Sequence, residues 1–190
     1  MKVKVGVSAR HIHISEKDFL YLFGENHKLE SYKDLKQKGE FASFDRVSIK
    51  SEKDTIDNVR VLGPIRNYTQ VEVSKTDAIK LGINPPVRSS GDLKDSEALT
   101  ICYKDKEIFL KNCCIIANRH IHINTKDSFK FGLYNNQVVK VKFDGIKGGT
   151  LDNVVVKTND NYVLELHLDT DDANSHLIVT EDVCEVILDE

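Results

Sequence analysis

The sequence predicts a mainly β protein with short helices, built as two β-barrel halves that are related by an internal repeat. Most of the 190 residues fall into short alternating or apolar runs, which Gly, Asn, Asp and Pro separate. Few segments are long enough for a substantial helix. In addition, HIHISEKDFLYLFG near the start is matched by HIHINTKDSFKFG far downstream. We therefore expect the two halves at residues 1–112 and 113–190.

The first predicted elements are a strand, VKVGVSA, and a second strand that contains R-H-I-H-I. Successive side chains of a strand point to opposite faces, so His11 and His13 share one face while the isoleucines pack on the other. Ser15 then has the chemistry of a helix N-cap, Asp18 follows it by three residues, and Gly24 is a typical helix stop. This pattern predicts a short helix directly after the paired histidines.

A related pattern recurs in TQVEVSKTDAIKLG, which has a capping residue, an acidic residue three positions later and a final glycine. It predicts another short helix. Aligning Ser74 with Ser15 places Glu72 at the position of His13 and Gln70 at the position of His11. This segment therefore offers a carboxylate where the other copies have a histidine.

The remaining runs with strand character are FDRVSIKS, NVRVLG, ALTICYK, EIFLKNCCIIA, QVVKVKF, NVVVKTN, YVLELHLD and CEVILDE. Between them lies the second pair, His120 and His122, again followed by a cap, an acidic residue and a glycine: Asn124, Asp127 and Gly132. We expect a third short helix at this point.

The repeated histidines indicate a metal site. A single H-x-H is more often an exposed strand face, but here two pairs occur, with Glu72 at a matching position and a further histidine, His167, in ELHLDTDDANSH. Such nitrogen and oxygen ligands suit zinc best, with cobalt, manganese and iron as alternatives. Because the set is too large for one tetrahedral zinc, two metal ions with open positions are expected.

An anion site is expected beside this set. In GPIRNYTQVEVS, Arg66 lies six residues before Glu72, so its guanidinium could approach the metal ligands. Arginine can hold a phosphate through two parallel hydrogen bonds. The plainer alternative is a surface arginine in a salt bridge.

Several classes of function are disfavoured. The net charge of −3 argues against general nucleic-acid binding, and no run approaches the apolar length of a membrane span. The start of the chain lacks the apolar run of a signal peptide, so the expected location is the cytoplasm. No P-loop, GxGxxG or GxSxG motif is present, and no serine or cysteine has a sequence neighbour that marks it as a nucleophile.

Taken in order, SARHIHIS, GPIRNYTQVEVSKTDA, RSSGD, NRHIHI and LHLDTDDAN resemble the motif series of the phosphate propanoyltransferases, the phosphotransacylases found with bacterial microcompartments. The resemblance covers almost the whole chain. It implies two β-barrel halves with the active site between them, and loops in the first half that bind coenzyme A and phosphate. The implied activity is a phosphate acyltransferase that interconverts acetyl- or propanoyl-CoA plus phosphate with acyl phosphate plus CoA.

The resemblance also assigns residues. A dinuclear zinc site is implied, with the ligands His11, His13, Glu72, His120, His122 and His167. Arg66 would be the catalytic, phosphate-holding residue. Contacts with coenzyme A, the substrate or product, fall on Ser8, Lys33, Arg60, Leu62 and Asn174, and further site-lining positions on Gln37, Gln70 and Ser90. Family members commonly carry arginine where this chain has Lys157, and many have an N-terminal microcompartment-targeting extension for which SARHIH leaves no room.

On this basis we expect direct, metal-assisted attack of phosphate on the thioester, without an acyl-enzyme. Two alternatives use the same ligands: a dinuclear metal-dependent hydrolase that activates water, and a non-catalytic binding protein whose barrels are stapled by metal. The sequence does not choose between a monomer and a homo-oligomer. It also does not specify the preferred acyl chain.

Overall fold

The computed structural model describes residues 1–188, and there the chain folds as two compact units. The first unit is Arg10–Ala117. The second combines Met1–Ala9 with the chain from Asn118 onward. Each unit has its own buried apolar cluster, as expected for two separate cores.

Short strands dominate the described residues, with short helices between them. In the first unit the strands are β2 His11–Ser15, β3 Ser31–Asp34, β4 Phe41–Lys50, β5 Thr55–Arg66, β6 Gln70–Glu72, β7 Val87–Arg88, β8 Glu97–Tyr103 and β9 Lys106–Ala117. The second unit contains β1 Lys2–Ser8, β10 His120–Ile123, β11 Val138–Phe143, β12 Gly149–Thr158, β13 Glu165–Asp169 and β14 Val183–Ile187. The helices are α1 Glu16–Phe23, α2 Lys75–Leu81, α3 Thr125–Lys130 and α4 Thr170–Ser175.

Both units contain a closed mixed barrel. In the first unit the barrel order is β4, β5, β2, β6, β9 and β8, and β8 pairs back onto β4, while β3 and β7 are attached outside the ring. In the second unit the order is β1, β13, β10, β12, β11 and β14, and β14 closes onto β1. The predicted fold class is therefore confirmed: mainly β, with short helices and two barrels. The relation of the halves by an internal repeat remains a prediction.

Strand β1 belongs to the barrel formed by the C-terminal part of the chain. It pairs in parallel with β13 and antiparallel with β14, which places Gly6 beside His167. The predicted halves, 1–112 and 113–190, instead place this strand in the first half, together with the residues that follow it. Its alternating pattern indicates a half-buried strand but does not specify its partner, because strand pairing depends on residues distant in sequence. The last two residues of CEVILDE, 189 and 190, lie outside the described residues.

The three predicted short helices are present with their predicted N-caps. Ser15 and Ser74 each accept a hydrogen bond from the backbone N–H three residues later, and Asn124 caps α3. Helix α2 ends at Gly82, whose left-handed backbone conformation suits glycine. Helix α3 ends one residue before the position that the glycine signal indicated, with Phe131 rather than Gly132 as its C-cap.

Among residues 1–188, no helix has the length and apolar character needed to cross a membrane.

Gly63 allows β4 and β5 to approach closely at the strand end that carries Leu62. It lies opposite Phe41, and a Cβ atom at Gly63 would be 2.1 Å from the Phe41 ring. We expect Gly63→Ala to lower the free energy of unfolding by about 1–3 kcal/mol, the usual cost of overpacking. Chemical denaturation would measure it. Because the clash involves one ring, Phe41→Ala in the same chain should relieve part of the loss, and strictly additive losses would contradict this explanation.

Candidate metal centres and anion site

Two histidines and a carboxylate meet on the outer face of the barrel in Arg10–Ala117. β2 runs antiparallel to β6, which places His11 opposite Glu72 and His13 opposite Gln70. Ile12 is fully buried in the core, so the two histidines point the other way. One ligand atom from each of His11, His13 and Glu72 lies within 4.8 Å of the others. We call this candidate metal centre the carboxylate triad.

Three histidines form a second candidate centre in the other unit. His120 and His122 lie on β10, and β13 places His167 directly opposite His120. The three ring centroids are 4.6–4.8 Å apart. One ligand atom from each ring again lies within 4.8 Å of the other two. We call this set the histidine triad.

The two triads use the same arrangement of strands. In each unit the strand with the paired histidines runs parallel to one neighbour and antiparallel to the strand that supplies the third ligand. The third ligand lies opposite the first histidine in both cases: Glu72 opposite His11 and His167 opposite His120. The structural counterpart of Glu72 is therefore His167. The alignment on Ser74 placed Glu72 in line with His13 and did not reveal this cross-strand relation.

The arginine that precedes each histidine pair makes an equivalent ion pair. Arg10 Nε lies 3.3 Å from Asp77, and an Arg119 terminal nitrogen lies 2.7 Å from Asp172. Each aspartate is the third residue of the short helix that follows the third ligand. These contacts tie the start of the histidine strand to the end of the strand opposite. They explain why the repeated motif is R-H-I-H rather than H-I-H alone.

The electrostatic surroundings keep two of the triad histidines neutral, one in each unit. Burial lowers the pKa of His13 far below its usual range, and the nearby His11 and Arg66 lower it further. Burial is also the main cause that lowers the pKa of His120, with Lys157, His167 and His122 adding to the effect. A neutral imidazole keeps a nitrogen lone pair, which is what a metal ligand needs.

Hydrogen bonding around the rings also fits a bound metal ion. Nδ1 of His120 lies 2.8 Å from the backbone oxygen of Asn118, which can only accept, so Nδ1 carries the proton and Nε2 is left for a ligand. Nδ1 of His13 is buried and makes no hydrogen bond within the described residues. Leaving such an atom unsatisfied costs about 1–3 kcal/mol, which a metal bond would offset. Imidazole and carboxylate donors in these sets suit a divalent transition metal.

Arg66 ends β5 within a polar cluster. One terminal nitrogen donates to the Tyr68 hydroxyl at 3.0 Å and to Ser90 Oγ at 3.3 Å, and the other donates to Glu40 at 3.2 Å. Glu40 in turn donates its backbone N–H to the carbonyl of the buried Gln37. The structure thus brings together Arg66 and Ser90, two residues that the family resemblance assigns to the site, and their roles stay a prediction. Glu40, which sequence reasoning missed, is the charged partner of the arginine.

Gln70 connects this cluster to the carboxylate triad. Its amide nitrogen donates to Glu72 at 2.6 Å and to Ser90 at 2.8 Å, and its oxygen accepts from the backbone N–H of Gly91 at 2.7 Å. Since Gln70 is fully buried, these hydrogen bonds hold its orientation firmly. The candidate metal ligand Glu72 and the loop that contains Ser90 are therefore linked through one side chain.

The residues expected to contact coenzyme A fall into two groups. Arg60 and Leu62 lie on β5 opposite His11 and His13, and the Arg60 guanidinium lies 4.8 Å above the Tyr32 ring, beside the exposed Lys33. In the other unit, Ser8 pairs with the N-cap residue of α4, the helix that contains Asn174. Their role in binding stays a prediction.

One aromatic contact of the histidine triad was missed from the sequence. The Tyr162 ring stacks on His122, with centroids 4.0 Å apart. An Asn-Tyr pair precedes the third ligand in both units, at 67–68 and at 161–162. That repetition in the sequence could have indicated that the tyrosine lies near the candidate metal ligands. Lys157 lies opposite His122 on β12, at the position where the family resemblance implies arginine.

The fold and site define a class of protein: a double-barrel chain with one candidate metal centre in each barrel and an arginine cluster beside one of them. Comparison with known proteins gives the family. The family model described as phosphate propanoyltransferase matches residues 4–179. The chain belongs to the phosphate propanoyltransferase family.

Individual relatives agree over nearly the whole length. The chain is 41% identical to a phosphate propanoyltransferase of Thermotoga maritima over 96% of its own length and 88% of the relative's. It is 46% identical to one of Priestia megaterium, over 95% and 83% of the two chains. A third, of Alkaliphilus metalliredigens, is 43% identical over 92% and 82%.

Proposed function

We propose that this protein is a phosphate acyltransferase that converts acetyl- or propanoyl-CoA and phosphate into acyl phosphate and CoA, and catalyses the reverse reaction. A phosphate oxygen attacks the thioester carbonyl carbon, the carbon–sulfur bond breaks, and CoA leaves as a thiolate that then takes up a proton. The observation that carries the proposal is the Arg66 cluster, which Gln70 joins to Glu72 of the carboxylate triad. Family membership supports the same reaction class.

Arg66 has the donors needed to bind phosphate. A guanidinium has five N–H groups, and the contacts with Tyr68, Ser90 and Glu40 use three of them. The remaining two can form a charge-assisted pair with a phosphate. Glu40 fixes the guanidinium from one side, which reduces the freedom that phosphate binding would otherwise have to remove. Arg66 thus holds and orients the nucleophile.

Direct transfer is favoured because the thiols are poor nucleophiles. Burial raises the pKa of Cys113 and of Cys184 to about 11 each, and it raises the pKa of Cys114 further. The Cys102 thiol also has a raised pKa, from burial and the nearby Glu107. Because the thiolate is the reactive form, none of these four cysteines is suited to carry an acyl group at neutral pH.

We assign zinc as the metal of both triads, two ions in all. When bound, zinc supplies a Lewis acid that can polarise the thioester carbonyl or stabilise the leaving thiolate. The chain itself supplies neutral imidazoles, the Glu72 carboxylate and the amide hydrogen bond from Gln70 that fixes this carboxylate. Lys33, Arg60, Leu62, Ser8 and Asn174 are the proposed contacts with coenzyme A, and Gln37 and Ser90 the further lining of the site.

The proposal predicts that release of CoA thiol from acetyl- or propanoyl-CoA requires inorganic phosphate. Thiol release should be followed alongside acyl phosphate formation, first with the protein as purified, then after metal removal by a chelator, and finally after zinc is restored. We expect equal amounts of thiol and acyl phosphate. Activity should be lost on chelation and should return with zinc.

The same assay separates the alternatives. A dinuclear hydrolase would release thiol and free acid without phosphate. A folded, metal-loaded protein that releases no thiol from either substrate would be a binding protein with structural metals. Either result would overturn the proposed transfer reaction.

A further inference from the structure

Glu165 is a buried carboxylate next to the histidine triad. It lies on β13 two residues before His167, opposite His122, and only 5% of its surface is exposed. Its Oε2 atom is 3.1 Å from Nε2 of His167, at the distance but not in the direction of a hydrogen bond. Burying a carboxylate is costly unless charge or hydrogen bonds compensate it. A carboxylate at this buried strand position therefore indicates a specific role, which an apolar strand residue would not.

The neighbouring strand leaves a space for this carboxylate. Gly6 lies directly beside His167 on β1. A Cβ atom at Gly6 would be 2.8 Å from Oε1 of Glu165 and 2.9 Å from its carboxyl carbon. Any other residue at this point of the KVKVGVS strand would push the carboxylate away. The absence of a side chain at Gly6 thus maintains the contact between Glu165 and His167.

The equivalent position of the other unit carries Gln70. Gln70 lies opposite His13 as Glu165 lies opposite His122, and each is two residues before the third ligand. Gln70 donates to the Glu72 carboxylate at 2.6 Å, whereas a carboxylate oxygen of Glu165 lies 3.1 Å from the His167 imidazole nitrogen. An amide donor accompanies the acidic ligand and a carboxylate accompanies the imidazole ligand. Each centre consequently contains one carboxylate.

The charge balance explains why the histidine triad needs this partner. A divalent cation with Glu72 and two neutral imidazoles carries a net charge of about +1, but the same cation with three neutral imidazoles keeps its full charge in a partly buried place. Lys157, on the strand beside His122, adds further positive charge. Glu165 brings the histidine triad to the same net charge as the carboxylate triad.

We propose that Glu165 is a positioning residue of the histidine triad, which orients His167 and supplies the negative charge that this centre needs to hold a divalent cation. The inference deepens the proposed function and rests on its assignment of two metal centres. Carboxylate partners of metal-ligating histidines typically contribute roughly 10- to 100-fold to metal affinity.

The test measures zinc binding without substrate, by titrating the metal-free protein against chelators of graded strength. Glu165→Gln keeps the shape and removes the charge, and Gly6→Ala keeps the charge but displaces the carboxylate. Glu185→Gln, at an exposed position of the same barrel, is the matched control. In both test variants we expect one of the two zinc sites to weaken by roughly 10- to 100-fold, with the other unchanged. Glu165→Asp should recover part of the affinity.

Cobalt substitution tests whether Glu165 acts through His167. For a positioning residue, the cobalt-loaded Glu165→Gln protein should show the wild-type band intensities once enough metal is added. A changed coordination number would replace this role with direct ligation. Wild-type zinc affinity in a folded Glu165→Gln protein would overturn the inference. If the wild type bound two zinc ions and lost one in Glu165→Gln but transferred no acyl group, the proposed function would fail while this inference stood.

Discussion

His13→Ala and His122→Ala are each expected to abolish binding of one metal ion and to reduce acyl transfer by roughly 10²–10³-fold, the range seen when one electrostatic catalytic group is lost. Each variant removes one of only three ligands in its triad. Because each triad lies within one unit, His13→Ala should empty the carboxylate triad alone and His122→Ala the histidine triad alone. Metal content per chain and turnover, measured on the same samples, would check both expectations.

His176→Asn is the matched control for these two variants. His176 lies in the unit of the histidine triad, but it is outside both triads and its Nδ1 is 2.6 Å from the Ser175 hydroxyl. Its replacement should leave two metal ions bound and turnover unchanged. If His13→Ala and His122→Ala retained two tightly bound ions, the triads would not be the metal centres. If they lost one ion each and kept full activity, the metals would be structural.

The features of the fold that could be predicted from the sequence are those that depend on local patterns. The alternation in R-H-I-H-I placed the isoleucines in the cores and the histidines on the opposite face, as both barrels show. Capping residues followed by an acidic residue located three of the four helices in the described chain. Both features depend on residues close together in sequence, where the steric rules of strands and caps apply directly.

Partners across the sheet could not be predicted in the same way. The alternation of β1 gives no sign that it pairs with β13, and the sequence therefore did not show that Gly6 lies beside Glu165. Likewise, Glu40 is 26 positions from Arg66 and is brought to it only by the fold. Six metal ligands were proposed from repetition and resemblance, but the contacts that orient them involve residues that no local pattern distinguishes from ordinary strand or loop positions.

Arg66→Ala should cause a selective loss of phosphate use. Removing a charged group that pairs with an anion in a partly buried site costs about 2–4 kcal/mol, which is roughly 30- to 800-fold in kcat/KM for phosphate. The KM for acetyl- or propanoyl-CoA and the zinc content should stay near the wild-type values, because Arg66 contacts Tyr68, Ser90 and Glu40 rather than the triad ligands. Initial rates at varied phosphate concentration would measure the effect.

Two further variants make the result specific to Arg66. Arg66→Lys keeps the charge but not the planar set of donors, so it should recover only part of the phosphate dependence. Arg88→Ala removes an arginine that pairs with Asp92 at 3.6 Å near the same loop, and it should leave phosphate kinetics unchanged. If Arg66→Ala instead raised the KM for phosphate and for acyl-CoA equally, the arginine would maintain the shape of the site. Unchanged phosphate kinetics would show that the nucleophile is held elsewhere, and Lys157, beside the histidine triad, would then be the next residue to replace.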